Sequence, residues 1–296
     1  MRLSQGTIKN QHPCFSGEAH LNRGRIHLPV SPACNIQCRF CKRSITQTGP
    51  ERYEQRPGLS GALIRPEEAL DVVRRALDLC PEITVVGIAG PGDTLATYHA
   101  LETFDRIHRA YPGLIKCLST NGLLLEPYVD ELFRVGVRTL TVTVNGVDPG
   151  ILAQICSQVI LKGVRYEGRE GAARLIEAQK RGIRKAADRG ILVKINIVLI
   201  PRINGSHIAE IARTVKTSGA GIINIIPLIP QEEPPAFTVA PDCTELSAAR
   251  ETAEAYLPVF RHCRHCRADA VGIPGQQDLS PLLYGYQERE LTFSHG

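Results

Sequence analysis

Tryptophan is absent from this 296-residue chain, and no stretch of it stays apolar for long. The longest apolar run, residues 191–201 (ILVKINIVLIP), is broken by Lys194 and Asn196. A membrane span needs about 20 consecutive apolar residues, so no span is expected. The opening residues, MRLSQGTIKNQHPC, lack the apolar core of a secretory signal. Short-period repeats and low-complexity segments are also missing. Nor does one sign of charge dominate: the formal net charge is +5. The two basic runs, residues 180–185 and 261–267, have no aromatic residues between the charges. Without such stacking residues the chain lacks the footprint of a nucleic-acid-binding surface. The expected setting is the reducing cytoplasm, with neither membrane nor nucleic acid as partner.

What is present fits a globular protein: 43% hydrophobic and 22% charged residues. The length suffices for one large α/β domain with extensions, or for two domains, and buries a core without covalent staples. The ten cysteines are therefore not needed as a disulfide framework. In a reducing compartment, clustered cysteines signal metal or redox chemistry.

Short apolar, β-branched runs bounded by Gly, Pro or Asn predict strands over residues 25–30, 83–89, 114–119, 140–144, 192–200 and 222–226. Apolar positions three or four apart predict helices over 65–79, 97–110, 126–135, 171–189 and 207–217. Pro66 and the acidic residues after it suit the first of these helix starts. Six strands alternating with helices imply a parallel sheet, either open or curled into a full or partial (β/α) barrel. In both, ligands gather at the carboxyl ends of the strands. The loops there are distinctive: SPACNIQCRFC after the first strand, Gly90-Pro91-Gly92-Asp93 after the second, Ser119-Thr120-Asn121-Gly122 after the third, Asn145-Gly146 after the fourth. Each alone reads as a turn. Their coincidence on one rim points to a site.

Cys34, Cys38 and Cys41 are spaced C-x3-C-x2-C. A structural zinc site wants four ligands, commonly as two short pairs. Three thiolates also suit a cubane iron–sulfur cluster, leaving one iron open to a substrate. Phe40, just before the last cysteine, is placed to lie against a flat ring.

This triplet, after the first strand of a β/α chain, resembles that of the radical S-adenosylmethionine (SAM) superfamily. The resemblance implies a full or partial barrel, commonly of six strands. It implies a [4Fe–4S] cluster on Cys34, Cys38 and Cys41 whose free iron chelates SAM. By the same resemblance Gly90, Gly92 and Asp93 meet the SAM amino group, Ser119, Asn121 and Asn145 make polar contacts, and Ile226 and Leu228 flank adenine.

An ordered series narrows the match: HPCF (12–15), EAH (18–20), HLPVSPACNIQC (27–38), AGPGD (89–93), LSTNGL (118–123), TVTVN (141–145), VRYEG (164–168), VLIP (198–201) and CRHCRADAVG (263–272). Over residues 10–275 it resembles the nitrogenase-cofactor maturase family. That resemblance implies two further [4Fe–4S] units, one on Cys14, Cys263 and Cys266, the other on His27 and Cys117. It implies that SAM methylates a cluster sulfide and that a second SAM yields a 5′-deoxyadenosyl radical. The two units then fuse into an 8Fe–9S–C product. Implied partners are an iron–sulfur cluster donor, an electron donor such as a ferredoxin, and a downstream cofactor carrier.

On the residues alone, Cys263-x2-Cys266 fits a redox pair or half a metal site, set in basic surroundings that lower a thiolate pKa. Cys117 equally suits a buried small apolar position, and a lone strand histidine such as His27 is more often a satisfied core residue than a ligand. His12 and His20 are weaker candidates. Cys80, Cys156 and Cys243 read as structural, and Glu54 as a surface salt-bridge residue. Residues 42–56 carry no cysteine where the family has one, and Thr94 and Arg202 stand where it has Pro and Gly. The expected division is an N-terminal arm (1–23), a barrel (24–232) and a C-terminal extension (233–296), the extensions closing the mouth. Two other readings remain: a radical SAM enzyme with an auxiliary iron–sulfur cluster acting on an organic substrate, and a non-catalytic iron–sulfur scaffold or carrier.

Overall fold

The computed structural model describes residues 5–41, 63–230, 235–263, 267–276 and 278–285. Cys266, Glu54 and the cysteine-free segment 42–56 lie outside them. The chain opens with two short helices, α1 (Gln5–Gln11) and α2 (Gly17–Asn22), the second capped by the Ser16 hydroxyl. Strands β1 (Gly24–His27) and β2 (Ile36–Cys38) flank the start of the cysteine loop. Alternation then sets in with α3 (Ala69–Leu79), β3 (Ile83–Ile88), α4 (His99–Ala110), β4 (Ile115–Thr120), α5 (Leu125–Arg134) and β5 (Val137–Thr143). An excursion follows through α6 (Pro149–Ile155), β6 (Cys156–Leu161) and β7 (Val164–Glu167). The alternation resumes with α7 (Gly168–Asp188), β8 (Leu192–Leu199), α8 (Pro201–Asn204), α9 (Ile208–Thr217) and β9 (Ile222–Pro227). The tail holds α10 (Cys243–Glu254), β10 (Val271–Gly272) and α11 (Ser280–Tyr284).

Six strands run parallel in the order β1-β3-β4-β5-β8-β9, with β10 antiparallel on β1. Successive strands lie side by side and never reverse order, so the sheet curls one way into a partial barrel. The six expected strands are these six. The first is shorter than its apolar run, because Pro29 has no N–H with which to continue the ladder. The first long helix starts at Ala69, with Pro66 in the turn before it.

The extensions close what the partial barrel leaves open. Val259 bridges Ile223 on β9, and Phe260 N–H donates to the Ile223 carbonyl at 2.7 Å. The same tail then pairs with β1 through β10. It therefore touches both edges of the sheet. The N-terminal arm packs at the amino ends of the strands, opposite the rim that carries the cysteine loop. Ile8 packs on Val85 and Ile115, Phe15 packs with Ile222, and the Gln11 carbonyl accepts from Thr84 Oγ1 at 2.7 Å.

The two faces of the sheet differ sharply. Val86, Ile88, Leu118, Leu140, Val142, Val193, Ile195, Ile197, Ile223 and Ile225 face the helices and form the main core. The alternate residues face the barrel interior, since side chains on a strand alternate. Those are largely polar: His27, Cys117, Ser119, Thr141, Thr143, Lys194, Asn196 and Asn224. Toward the amino ends the interior is apolar, with Val85, Ile115 and Ile222 under the N-terminal arm, and toward the carboxyl ends it is polar.

A small antiparallel sheet, β2-β6-β7, was not expected. Lys162 and Gly163, both at positive φ (51° and 78°), turn the chain from β6 into β7. The hairpin splints the cysteine loop: Ile36 opposes Val159, and Cys38 opposes Cys156.

Candidate functional site

At the carboxyl ends of the strands lies an open cleft. Cys34, Cys38 and Cys41 all line it, each half-buried and without a disulfide. Backbone and side-chain bonds fix their loop: Arg39 N–H donates to the Ile155 carbonyl at 2.8 Å, and Gln37 Nε2 donates to the carbonyls of Cys38 and Cys41 at 3.1 and 3.2 Å. Phe40 is buried between the cleft and an apolar cluster that includes Leu228 and Phe237. Cys156, read from sequence as structural, also lines the cleft. The Cys38 thiol donates a hydrogen bond to the Cys156 sulfur, which raises the pKa of Cys38 and lowers that of Cys156.

The second loop packs backbone to backbone on the cysteine loop. A Cβ on Gly92 would sit 2.1 Å from the Ala33 carbonyl oxygen, so only glycine fits. Asp93 is buried and holds two loops together. Its carboxylate accepts from Thr120 Oγ1 (3.0 and 3.1 Å), Asn121 N–H (2.6 Å) and Leu95 N–H (3.0 Å). Thr94 Oγ1 donates to the carbonyls of Ser119 and Ile88, so the threonine that departs from the family pattern ties the same loops. Asn145 Oδ1 accepts from Val198 N–H at 2.8 Å. Gln179 Nε2 reaches the carbonyls of Asn121 (2.7 Å) and Thr143 (2.9 Å).

Of the expected SAM contacts, Phe40, Gly92, Asp93, Ser119, Asn121 and Asn145 line the cleft. Gly90, Ile226 and Leu228 do not; Leu228 lies behind Phe40 in the apolar cluster. Gln37, Thr143, Cys156 and Gln179 were missed. The alternation in TVTVN marks Thr143 as inward-facing, but nothing in helix α7 marks Gln179. Among the described residues no three His, Cys, Asp or Glu side chains converge on a single metal ion. Three thiols on one loop suit a cluster in which each thiolate takes its own iron.

A second group of candidate ligands, here termed the chamber, lies deeper in the barrel. His27, Gly87 and Cys117 are register partners on β1, β3 and β4. A Cβ on Gly87 would come within 2.8 Å of the His27 ring, so this glycine gives the imidazole its room. His27 Nδ1 donates to the Arg267 carbonyl at 2.8 Å, which leaves the Nε2 lone pair free. Burial first, then the Arg25 charge, lowers the His27 pKa to about 4, so the ring is neutral at physiological pH. Cys14, Cys117 and Cys263, far apart in sequence, pack against one small group of Phe15, Ile222 and Phe260. Burial raises the pKa of the Cys117 thiol. An imidazole and thiols are residue types that ligate iron, though among the described residues no three of them converge on one ion. Cys117 and Ser119 lie two residues apart on one face of β4, about 7 Å along the strand. Cleft and chamber are therefore stacked.

The weaker candidates separate. His12 Nδ1 accepts from Cys14 N–H at 3.0 Å, at the chamber. His20 Nδ1 donates to the Pro13 carbonyl and the ring packs among Phe260 and His262. Cys80 is buried near Glu82, and Cys243 is exposed at the start of α10. No described helix is long and apolar enough to cross a membrane.

Residues 28–215 match the radical SAM superfamily model. The FeMo cofactor biosynthesis protein NifB of Methanocaldococcus infernus is 46% identical over 279 residues, covering 94% of this chain and 91% of that protein. Its counterpart in Methanocaldococcus jannaschii is 44% identical over 294 residues, 97% and 96% of the two chains. The one in Klebsiella pneumoniae is 45% identical over 271 residues, 90% of this chain and 57% of that protein. Among solved structures, anSMEcpe with bound AdoMet superposes with a TM-score of 0.52 at 16% identity, covering 80% of this chain and 64% of that one. That likeness supports the partial barrel.

Proposed function

The chain belongs to the radical SAM superfamily and to its NifB family, and from that premise we propose that it builds the carbide-centred 8Fe–9S–C precursor of the nitrogenase cofactor from two [4Fe–4S] substrate units. The observation that supports this reading lies beneath the cleft, where His27 and Cys117 are register neighbours across Gly87 and Cys117, Cys14 and Cys263 pack against one aromatic group. A radical enzyme for an organic substrate with one auxiliary cluster would use the thiols but leave His27 without a part.

Cys34, Cys38 and Cys41 would hold the SAM-binding [4Fe–4S] cluster, which when bound supplies the electron for reductive cleavage of SAM. The protein's own work is placement. Gly92 lets two loops meet closely enough to shape one wall of the cleft. Asp93, Asn145 and Gln179 lock the rim loops through buried hydrogen bonds, so the rim is organised before SAM arrives. Phe40 offers an apolar face. His27 stays neutral and pre-oriented, ready to bind iron and to release it. Cys14 and Cys263, with Cys266, would hold one substrate unit, and His27 with Cys117 the other. Arm and tail keep water out of the chamber. The partners implied are an iron–sulfur cluster donor, a low-potential electron donor such as a ferredoxin, and a carrier that receives the product in the cytoplasm.

The test is a product assay on anaerobically reconstituted protein with dithionite and SAM. The reading expects both S-adenosylhomocysteine and 5′-deoxyadenosine. Deoxyadenosine alone eliminates the methyl transfer and favours an organic substrate. Neither product, with iron and sulfide verified, favours a scaffold.

A further inference from the structure

Two side chains in the chamber have no role in the donor set just described. Lys194 lies on β8, on the interior face, and is buried. Its Nζ sits 5.4 Å from the centre of the Phe15 ring and 5.6 Å from that of Phe260. Its hydrogen bond goes to the Cys14 carbonyl, and at 3.4 Å it is long. Among the described residues no carboxylate pairs with it. Its charge is felt at His12, His27 and Cys117, so it stands among them. A buried ammonium without an anion is costly, and ring faces offset only part of that cost.

His12 is the second. It is 1% exposed, and its Nε2 has no hydrogen-bond partner. Its Nδ1 accepts from Cys14 N–H, so in the neutral ring the proton is on Nε2. Nε2–H is thus an orphaned buried donor, which the interior of a fold rarely tolerates. Both groups offer what an iron–sulfide unit lacks. Thiolate-ligated clusters are anionic, and their sulfides accept hydrogen bonds that tune them.

We propose that Lys194 and His12 are positioning residues for the iron–sulfide substrate: the ammonium is its counter-charge and His12 Nε2–H donates a hydrogen bond to it. This rests on the chamber being a cluster site, as argued above. It adds to that reading an electrostatic half that the ligands do not provide. The chamber without cargo is left with an unbalanced cation and an unmade hydrogen bond, and cargo supplies both.

The experiment compares the full chain with four variants after anaerobic loading with ferrous iron and sulfide. Lys194→Met keeps the bulk and loses the charge; Lys194→Arg keeps the charge. His12→Asn keeps an acceptor for Cys14 N–H and loses the Nε2 donor; His12→Gln keeps that donor. Iron per chain, the electron paramagnetic resonance spectrum after reduction, and the melting temperature before loading are recorded. Lys194→Met should weaken loading beyond the first cluster roughly tenfold, the low end for outer-layer partners of a metal site. It should leave the SAM-cluster signal intact and the unloaded protein no less stable. Lys194→Arg should restore loading. His12→Asn should alter the spectrum of the further clusters, and His12→Gln should not. If Lys194→Met and His12→Asn load like the parent with unchanged spectra, the inference is overturned while the cluster chamber stands. If the unmutated chain itself stops at about four irons, the chamber reading fails, and this inference with it.

Discussion

Two lysines are buried in the same parallel sheet, on β4 and β8, and they are finished differently. Lys116 is 1% exposed, and its Nζ donates to the carbonyls of Tyr111 (2.7 Å), Leu114 (2.8 Å) and Pro112 (3.4 Å). Lys194 has one long bond, to the Cys14 carbonyl, and two ring faces. Burial and then the Arg138 charge lower the Lys116 pKa to about 8, but three carbonyls take its hydrogens, so the fold supplies the partners of the first lysine. It leaves the second to be completed by something else. The same contrast separates the two levels of the barrel. On the rim, Asp93, Asn145 and Gln179 spend their hydrogen bonds on the protein, which fixes a shape for a small molecule. In the chamber below, His12 Nε2 and Lys194 are kept in reserve. A site for a resident cofactor is built in advance; a site for cargo is balanced only when loaded.

The sharpest break in this comparison would come from Cys38→Ala. Without its cluster the rim supplies no electron, so 5′-deoxyadenosine formation should fall by at least about a thousandfold. Iron in the chamber should survive. The converse variant, Cys14→Ala, should go on cleaving SAM while losing chamber iron and S-adenosylhomocysteine. If Cys38→Ala also empties the chamber, the two levels are one site and the contrast falls.

Next in size is a pH effect on the iron-free chain. The His27 pKa, ordinarily 6.5, is lowered to about 4 by burial and by Arg25. The unfolded chain therefore takes up this proton first as pH falls. Stability from His27 is complete above pH 6.5 and drains away as pH falls to about 4, a loss of about 3 kcal/mol. His27→Asn keeps a donor for the Arg267 carbonyl but does not titrate. Urea denaturation at pH 7 and at pH 4 should show a smaller loss in the variant; equal losses would mean that the imidazole is not held neutral.

How much of this was legible follows from where the residues lie. The triplet occupies one loop, so its chemistry could be read from eight consecutive residues. The six strands were legible because their helix-facing residues are β-branched and apolar. The chamber was not, because Cys14, His27, Cys117 and Cys263 span most of the chain, and spacing says nothing about such distances. Only resemblance to a family brought them together in advance. Lys194 was first seen as an interruption of an apolar run. In fact the alternation of KINIV and TVTVN, polar inward and apolar outward, already describes a barrel with a wet interior. The hairpin behind the cysteine loop was missed because Lys162-Gly163 is a weaker turn signal than Asn-Gly, and with it went the placement of Cys156 beside Cys38.

The smallest effect tests the two lysines directly. Lys116→Met should destabilise the iron-free chain by about 2 kcal/mol, because three carbonyls lose their shared donor while the methionine fills the space. It should not touch iron loading, since Lys116 faces away from the interior that Cys117 enters. Lys194→Met should show the opposite pair of effects: stability held or raised, loading weakened. Both are Lys-to-Met changes at buried strand positions, so lost charge and lost side-chain length cancel between them. What remains is whether the ammonium was already satisfied by the fold. Equal stability losses in urea would show that Lys194 is held as firmly as Lys116, and the distinction between a finished site and a reserved one would not hold.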